Sequence, residues 1–415
     1  MHYLITNVVH RIGTLLPGPV ATKIINIIKG ISYNSTFTFP LVIANGHGSI
    51  IEDVDGNAFL DFTSNIGACP LGYSHPEIME VLKNYSRNGI HKIAGQDFYC
   101  EEHAIIAQKV ASIIPGNFKT FFINSGAEAV ENAIKIAYRK MGALPGVSCI
   151  NSFHGRTLGA LSFTFSKPVQ KANFPELAVK RIKFCIDDGD SEIDSIQKLL
   201  KENKIAFIIS EVIQGEGGCN VASKQFIRNL EKFAKQYEVP LILDEVQSGM
   251  GRTGKWWAFE HYNVKPDIMS IAKALQVGAT AYNRTFDPDE EGVLSSTWGA
   301  GGRIDMAVGT KIIDVIKQEK LITNAAIKGE VLKKGLNEIV GRNGIIDVRG
   351  IGLMIGIEFD RKERRDRKLR ELFNRGLLLL PAGQKAVRVM PPLIVGDDEI
   401  QEGLAIMNEV LLSLG

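Results

Sequence analysis

Short apolar runs alternate with segments of helical spacing between about residues 118 and 273, and this alternation constrains the fold more than any other feature of the chain. The predicted strands are 120–123, 147–151, 205–210, 241–244 and 268–272, and the predicted helices among them are 128–140, 191–203 and 223–236. Strands joined by helices lie mostly parallel in one sheet, with helices on both faces. We therefore predict an α/β fold built on a mostly parallel central sheet.

The two ends of the chain follow different patterns. Residues 41–62 alternate polar and apolar positions around an Asp55–Gly56 turn, which predicts a small antiparallel meander. After residue 303, long helical segments are followed by strands between 345 and 390 and by a final helix from about 397. Because 415 residues exceed one typical hydrophobic core, we predict a second, smaller α+β domain.

Composition and charge bear on the class of function. Forty-eight basic and 46 acidic side chains leave a net charge of +2, so bulk charge favours neither nucleic acid nor a membrane as a partner. Polar residues and prolines interrupt the first 30 residues, which predicts an arm or helix packed on the body or on a partner subunit. The five cysteines are widely spaced and show no metal-ligand spacing, which indicates a reducing, cytoplasmic location and no metal site.

Charged groups stand at the ends of two predicted strands. Asp244 and Glu245 follow the apolar run 241–243, and Lys273 follows the run 268–272. Ligands of open α/β sheets bind beyond the carboxyl ends of the strands, so this acid and this amine can face one crevice. The pair suits pyridoxal phosphate, because a lysine binds the cofactor aldehyde as a Schiff base and a carboxylate keeps the pyridine nitrogen protonated. The alternative is a pair of ordinary strand-end charges.

Three further segments carry residues suited to binding an anion, a ring or a carboxylate. Residues 125–127 are small and precede a predicted helix, where free backbone N–H groups bind phosphate. Phe153 could stack on a cofactor ring and Arg156 could clamp a carboxylate, and residues 211–218 combine two carboxylates with three glycines. The alternatives are an ordinary turn, core packing and a flexible loop.

Taken together and in this order, these segments resemble the class III pyridoxal-phosphate aminotransferases, which include the 4-aminobutyrate, ornithine, acetylornithine and lysine 6-aminotransferases. The segments that carry the resemblance are NSGAEAVENAIKIA, FHGRTLGALSFT, EVIQGEGG, LILDEVQSGMGRTG and PDIMSIAKAL. The resemblance extends from about residue 38 to the C-terminus. Jointly these motifs are far more specific than any one of them is alone.

The resemblance implies roles for the residues around pyridoxal phosphate. Lys273 would carry the cofactor and shuttle the proton at the substrate carbon, Asp244 would pair with the pyridine nitrogen, and Gln247 would reach the ring hydroxyl. Physical chemistry favours the same roles, because a buried carboxylate stabilises a protonated ring nitrogen and a nearby cation favours a neutral, nucleophilic lysine.

The remaining cofactor contacts follow from the same resemblance. Gly126 and Ala127 would bind the phosphate through backbone N–H groups, and Phe153 would stack on the ring. Thr297 would reach the phosphate of the neighbouring subunit's cofactor, which implies a homodimer with active sites at the interface. Four other residues are expected to line the cofactor: Ser125, His154, Glu211 and Val246.

Three residues are implied for the substrates. Arg388 would hold the α-carboxylate, Glu216 would cover Arg388 when the other substrate lacks a carboxylate there, and Arg156 would bind the distal carboxylate of 2-oxoglutarate or 4-aminobutyrate. The chain departs from the family pattern after Lys273 and in the interface loop 297–306, which lacks the usual Asn-Pro, and the amino donor stays open. Gln276 and Val277 replace the usual consecutive glycines, as in lysine 6-aminotransferases, whereas residues 61–76 fit the 4-aminobutyrate branch and its racemase relatives better.

The expected fold is the pyridoxal-phosphate transferase fold type I. The expected division is an N-terminal arm and part of the small domain at 1–60, a large cofactor-binding domain at 61–302 and a C-terminal small domain at 303–415. The expected activity is that of a cytoplasmic ω-aminotransferase, which moves the terminal amino group of 4-aminobutyrate or L-lysine to 2-oxoglutarate to give a semialdehyde and glutamate. The alternative is an amino-acid racemase on the same scaffold.

Overall fold

The structure is a computed structural model that describes residues 10–33, 38–87, 90–189, 192–294 and 298–413. Its α-helices are α1 Pro19–Ile31, α2 Ser64–Gly67, α3 Pro76–Tyr85, α4 Glu101–Ala111, α5 Gly126–Met141, α6 Leu158–Ser162, α7 Glu192–Glu202, α8 Gly215–Gly218, α9 Lys224–Gln236, α10 Arg303–Gln318, α11 Leu321–Asn337, α12 Lys362–Asn374 and α13 Asp397–Leu412. Its strands are β1 Ile43–His47, β2 Ile50–Asp53, β3 Ala58–Asp61, β4 Phe118–Ile123, β5 Gly146–Cys149, β6 Val179–Ile182, β7 Phe207–Glu211, β8 Ile213–Gln214, β9 Asn220–Val221, β10 Leu241–Asp244, β11 Ile268–Ile271, β12 Gly278–Asn283, β13 Ile345–Ile351, β14 Met354–Phe359, β15 Leu377–Leu378, β16 Leu380–Ala382 and β17 Ala386–Val389.

A seven-stranded sheet forms the centre of the molecule, in the order β4-β12-β11-β10-β7-β5-β6. β12 is antiparallel to both of its neighbours, and the other strands run in one direction. The prediction of a mostly parallel α/β sheet is therefore confirmed, although it did not include β6 or β12. Asp244 lies opposite Glu211 on one side and Ser270 on the other, so three strands end at one level.

Helices cover both faces of this sheet because each buried strand presents apolar side chains to both sides. Ile242 packs with Val130 of α5 in one apolar cluster, whereas Leu243 packs with Leu230 of α9 in another. α5 is capped by Ser125, whose hydroxyl accepts a hydrogen bond from the backbone N–H of Glu128. These helices fix the strand ends from which the functional side chains project.

Two four-stranded sheets lie outside the central sheet, in the orders β1-β2-β3-β15 and β13-β14-β17-β16. The meander predicted at 41–62 forms β1 to β3, and β15 from the C-terminal part of the chain pairs in parallel with β3. We propose that these sheets and their helices make up the small domain, with limits at 1–60 and 303–415, and that 61–302 makes up the large domain.

Helix α12, which contains most of the charged run that begins at Arg361, is more buried than the sequence indicates. The mixed charges of residues 361–368 predict a solvated helix face, but Arg365 is 4% exposed and Lys368 is 1% exposed. The ammonium group of Lys368 donates to the carbonyls of Val410 and Ser413, at distances of 2.8 and 3.1 Å, at the end of α13. A buried lysine is retained there because the last carbonyls of a helix lack intrahelical donors.

The N-terminal segment is anchored on the body through its helix. The carboxylate of Asp55 accepts the backbone N–H groups of Val20 and Ala21 at 2.9 and 2.8 Å, which caps α1. Within the described residues, no helix is long and apolar enough to cross a membrane.

Candidate active site

A cavity of about 470 Å³ opens beyond the carboxyl ends of the central strands. It is lined by Ala68, Asn124, Ser125, Gly126, Ala127, Phe153, His154, Gly155, Arg156, Glu211, Ile213, Glu216, Asp244, Val246, Gln247, Ser248, Ala272, Lys273, Gln276, Val277 and Gly278. All of the predicted site residues except Arg388 and Thr297 are in this wall. Arg388 contacts two wall residues, and Thr297 lies outside the described residues.

Asp244 is held at the end of β10 by three hydrogen bonds. Its Oδ1 accepts the hydroxyl of Ser270 at 2.8 Å and the backbone N–H of Val246 at 3.1 Å, and its Oδ2 lies 2.8 Å from Nδ1 of His154. The side chain is 5% exposed. These contacts fix the carboxylate in one orientation at the floor of the cavity.

Lys273 follows β11 with φ +48, a left-handed conformation that costs a non-glycine residue about 1 kcal/mol or more. This strained turn brings the amine out of the sheet and into the cavity wall. Burial and the positive charge of Arg388 lower the pKa of Lys273 from 10.5 to about 8, against the opposing effect of nearby carboxylates such as Glu216. The fraction of Lys273 amines that is neutral, and therefore nucleophilic, is larger than for a lysine with the ordinary pKa of 10.5.

Glu211 ends β7 and connects two loops of the cavity wall. Its carboxylate accepts the backbone N–H of Phe153 at 3.0 Å and that of Gly215 at 3.1 Å. Burial raises the pKa of Glu211 to about 7, and the charge of Asp244 adds to this shift while His154 opposes it. The geometry therefore gives Glu211 a loop-positioning role in the wall, and it stays a predicted cofactor neighbour.

The N-terminus of α5 supplies backbone donors in a space that side chains cannot enter. A Cβ atom on Gly126 would lie 2.9 Å from Cγ1 of Val246, and a Cβ atom on Gly278 would lie 2.5 Å from the carbonyl oxygen of Ser125. The first N–H groups of an α-helix have no intrahelical acceptor and lie at the positive end of the helix dipole. This combination suits the predicted phosphate site at Gly126 and Ala127.

The segment after β5 places a ring, an imidazole and a guanidinium along one wall. The backbone N–H of His154 donates to the hydroxyl of Thr164 at 2.9 Å, which fixes the segment against the next loop. Among the described residues, Nε2 of the buried His154 has no hydrogen-bond partner. Arg156 is exposed at the mouth of the cavity, with its guanidinium carbon 5.9 Å from the centre of the Phe153 ring.

Arg388 projects from β17 and joins the cavity wall through two side chains. Its guanidinium donates to Oε1 of Glu216 and to Oε1 of Gln247, both at 2.8 Å. Although burial opposes it, the attraction of Arg388 lowers the pKa of Glu216 below its ordinary value. The structure thus brings the predicted pair of Glu216 and Arg388 into direct contact beside the lysine.

The glycine-rich loop that contains Glu216 is tightly packed, which removes the flexible loop as an alternative. A Cβ atom on Gly215 would lie 1.8 Å from Oε1 of Gln247, and one on Gly217 would lie 2.7 Å from the carbonyl oxygen of Asn151. Glycines are required here because other backbone and side-chain atoms approach closely.

Nine of the wall residues were not predicted as site residues, and two of them, Gln276 and Ala68, are joined by a hydrogen bond. Nε2 of Gln276 donates to the carbonyl of Ala68 at 2.6 Å and to that of Lys273 at 3.0 Å, from a left-handed backbone position with φ +66. The departure from the family pattern at Gln276 was a usable signal for this residue. Ala68 carried no local signal, because it reaches the cavity only through long-range folding.

The residues present fit pyridoxal phosphate. Lys273 supplies an amine with a lowered pKa, Asp244 supplies an oriented carboxylate, and the helix that begins at Gly126 supplies donors for a phosphate. The unpartnered Nε2 of His154 lies in the same wall and leaves one more polar atom for a bound group.

Comparisons with known proteins agree with this geometry. The sequence model of the family described as "Aminotransferase class-III" matches residues 31–411. The acetylornithine aminotransferase of Aquifex aeolicus is 36% identical over 392 residues, which cover 91% of this chain and 99% of that protein. The acetylornithine aminotransferase of Caldanaerobacter subterraneus is 33% identical over 385 residues, which cover 90% of this chain and 95% of that protein.

A solved structure gives the same result for the fold. The lysine aminotransferase of M. tuberculosis superposes with a TM-score of 0.86 at 28% identity, over 94% of this chain and 99% of that chain. The expected pyridoxal-phosphate transferase fold type I is thereby confirmed, and class III aminotransferases use pyridoxal phosphate as their cofactor. The chain belongs to the class III aminotransferases.

Proposed function

We propose that this aminotransferase moves the terminal amino group of an ω-amino acid to 2-oxoglutarate, which gives a semialdehyde and glutamate. The observation that carries the proposal is the pair of Arg388 and Glu216, 2.8 Å apart beside Lys273. An arginine that can be either covered or uncovered suits an enzyme whose two amino donors differ in the group next to the reacting carbon.

Residues of this chain supply the binding and proton-holding parts of the reaction. Bound pyridoxal phosphate supplies an aldehyde for the amino group and a protonated ring that withdraws electrons from the substrate carbon. Asp244 keeps a proton on the ring nitrogen, and His154 orients Asp244 through the 2.8 Å contact at Oδ2. The lowered pKa of Lys273 enlarges the neutral fraction of its amine, and this neutral form would accept the proton from the substrate carbon and return it.

The two half-reactions use the arginines differently. Glutamate and 2-oxoglutarate have an α-carboxylate that binds Arg388 bidentately, after Glu216 has moved away. A donor that reacts at its terminal amine has no carboxylate at that position, so Glu216 stays on Arg388 and neutralises it. Arg156, exposed at the cavity mouth, binds the distal carboxylate in both half-reactions.

The identity of the donor is the finer part of the proposal. The relatives compared above are named for acetylornithine and lysine, which are α-amino acid compounds with a terminal amine. Gln276 in the cavity wall adds to this, since the Gln276-Val277 pair resembles the lysine 6-aminotransferases. We therefore place L-lysine and N-acetylornithine before 4-aminobutyrate as donors.

A panel of amines tests the reaction. Glutamate formed from 2-oxoglutarate is measured with L-lysine, N-acetylornithine, L-ornithine and 4-aminobutyrate at equal concentrations. The enantiomers of the three chiral donors are measured in the same samples. We expect glutamate with at least one ω-amine and no change of enantiomer. Conversion of an amino acid to its enantiomer without glutamate would replace the proposal by the racemase alternative.

Single-turnover rates test the two arginines. Arg388→Lys is expected to slow the glutamate half-reaction by about 10- to 100-fold more than the ω-amine half-reaction, because a lysine cannot form the bidentate contact with a carboxylate. Arg156→Lys is expected to slow both half-reactions. Equal losses in both half-reactions for Arg388→Lys would show that no switch operates.

We also propose a cytoplasmic homodimer in which Thr297 of one subunit reaches the phosphate site of the other. Three exposed aromatic side chains support the proposal: Phe98 is 64% exposed, Tyr99 is 99% exposed, and Trp298, which follows Thr297 in the sequence, is 47% exposed. Exposed apolar surface of this kind is typical of a subunit interface. Sedimentation equilibrium is expected to give twice the chain mass of 45.6 kDa, and a monomeric active enzyme would overturn this assembly.

A further inference from the structure

We infer that Lys167 is a positioning residue for Glu216, as the ion-pair partner that receives its carboxylate when Arg388 is uncovered for an α-carboxylate. This inference rests on the switch described under the proposed function. Lys167 is not part of the sequence motifs or of the residues that line the cavity.

The two oxygens of Glu216 face different cations. Oε1 accepts the guanidinium of Arg388 at 2.8 Å, whereas Oε2 lies 4.0 Å from the ammonium nitrogen of Lys167. The side chain of Arg388 is 3% exposed, that of Glu216 is 19% exposed, and that of Lys167 is 40% exposed. The carboxylate therefore lies between a buried cation and a half-exposed cation at the rim.

The backbone of Glu216 is fixed, so the switch must be a rotation of its side chain. Its carbonyl accepts the backbone N–H of Gly383 at 2.7 Å, and Gly215 and Gly217 on either side are closely packed. A rotating carboxylate on a fixed backbone reaches only a small volume. Lys167 already borders that volume.

The loop that carries Lys167 is also held in place. The backbone N–H of Phe165 donates to the carbonyl of Ser152 at 2.7 Å. The Phe165 ring contacts the ammonium of Lys171 at 3.8 Å and the guanidinium of Arg181 at 4.4 Å from its centre. The position of Lys167 relative to the site is thus set by the fold, and only its long side chain needs to move.

Glu216 needs a second cation because leaving its partly buried carboxylate without a partner costs free energy. When a substrate carboxylate takes Arg388, Glu216 loses its charge-assisted hydrogen bond and faces a second negative charge. Closing the 4.0 Å gap to Lys167 replaces the lost contact with another ion pair. Because only glutamate and 2-oxoglutarate place a carboxylate next to the reacting carbon, Lys167 helps only that half-reaction.

The test compares half-reactions of the holoenzyme in Lys167→Met, which keeps an unbranched side chain and removes the charge. We expect the dissociation constant for glutamate in single-turnover experiments to rise about fivefold, which corresponds to about 1 kcal/mol, the upper end for a partly exposed ion pair. The maximal rate of that half-reaction and the rate with the ω-amine donor are expected to stay within twofold. Lys167→Arg is expected to retain the affinity of the wild type.

Three controls separate this role from others. Lys198→Met removes the charge of a lysine that is 73% exposed and pairs with Glu202, and it is expected to change neither half-reaction. In a Glu216→Gln background, Lys167→Met is expected to have less than a 1.5-fold effect, because no carboxylate remains to be received. In the wild-type background the effect is expected to shrink as salt is raised.

Equal losses in both half-reactions would overturn the inference and make Lys167 a substrate contact instead. An unchanged dissociation constant for glutamate in Lys167→Met would also overturn it, since Glu216 would then move without this partner. These outcomes are distinct from a failure of the proposed function. If Arg388→Lys shows the expected asymmetry while Lys167→Met does not, only the role of Lys167 is wrong.

Discussion

The lowered pKa of Lys273 has a direct consequence for the protein without its cofactor. With a pKa of about 8, roughly one Lys273 amine in ten is neutral at pH 7, whereas a lysine at the ordinary 10.5 would have roughly three in ten thousand neutral. The neutral form is the nucleophile. The rate at which Lys273 reacts with a small amine-modifying reagent is therefore expected to rise with pH and to level off above a midpoint near pH 8. Most of this increase should occur between pH 7 and 9.

The measurement is reductive methylation of the cofactor-free protein from pH 6 to 10, with peptides quantified by mass spectrometry. Lys198, which is 73% exposed, serves as the reference for reagent loss in the same digest. Arg388→Gln removes the second cause of the shift, so the midpoint is expected to move upward, toward 10.5. If Lys273 and Lys198 follow the same pH profile, burial and Arg388 do not act on Lys273 as reasoned here.

Asp244→Asn is expected to keep cofactor binding while turnover falls by about 10²- to 10³-fold, because the change removes only the charge that holds the ring proton. Near-normal turnover at full cofactor occupancy, with occupancy measured by absorbance, would refute this role. Glu211→Gln removes a group whose pKa is raised to about 7, and such a group penalises the folded state as pH rises from about 4.5 to 7. The difference in unfolding free energy between this variant and the wild type is therefore expected to shift in favour of the variant by up to about 3 kcal/mol across that pH range. Denaturant titrations of the cofactor-free proteins measure this difference, and a difference that does not depend on pH would contradict the prediction. Gly215→Ala places a Cβ atom 1.8 Å from Oε1 of Gln247. The variant is therefore expected to unfold at a lower temperature, with a loss of about 1–3 kcal/mol in the free energy of unfolding. Unchanged stability would show that Gln247 or the backbone moves to make room for the added methyl group.

The central sheet and most of the site could be predicted from the sequence because the relevant signals are local. Buried parallel strands are short apolar runs, and the residues that follow them, such as Asp244 and Lys273, meet at one edge of the sheet. β12 was missed because Gly278 to Ala281 are small and Asn283 is polar, so the strand lacks the apolar run of a typical buried strand. Gly278 packs on the backbone of Ser125, which leaves no room for a side chain at that position.

Other features depend on contacts that sequence spacing does not report. Lys368 was predicted to be solvated because its neighbours are charged, but the end of α13 lies over it and takes up its ammonium group. The approach of Arg388 to Gln247 joins residues 141 positions apart. The role of Lys167 likewise depends on a distance between two loops, so only the folded chain indicates it.

The most direct test of the account is the identity of the lysine that carries the cofactor. Purified protein is expected to be yellow, and reduction with borohydride followed by digestion is expected to leave the reduced cofactor on the peptide that contains Lys273. Lys273→Ala, reduced in parallel, is expected to yield no modified peptide. Attachment to a different lysine in the wild type would contradict the assignment of the whole site.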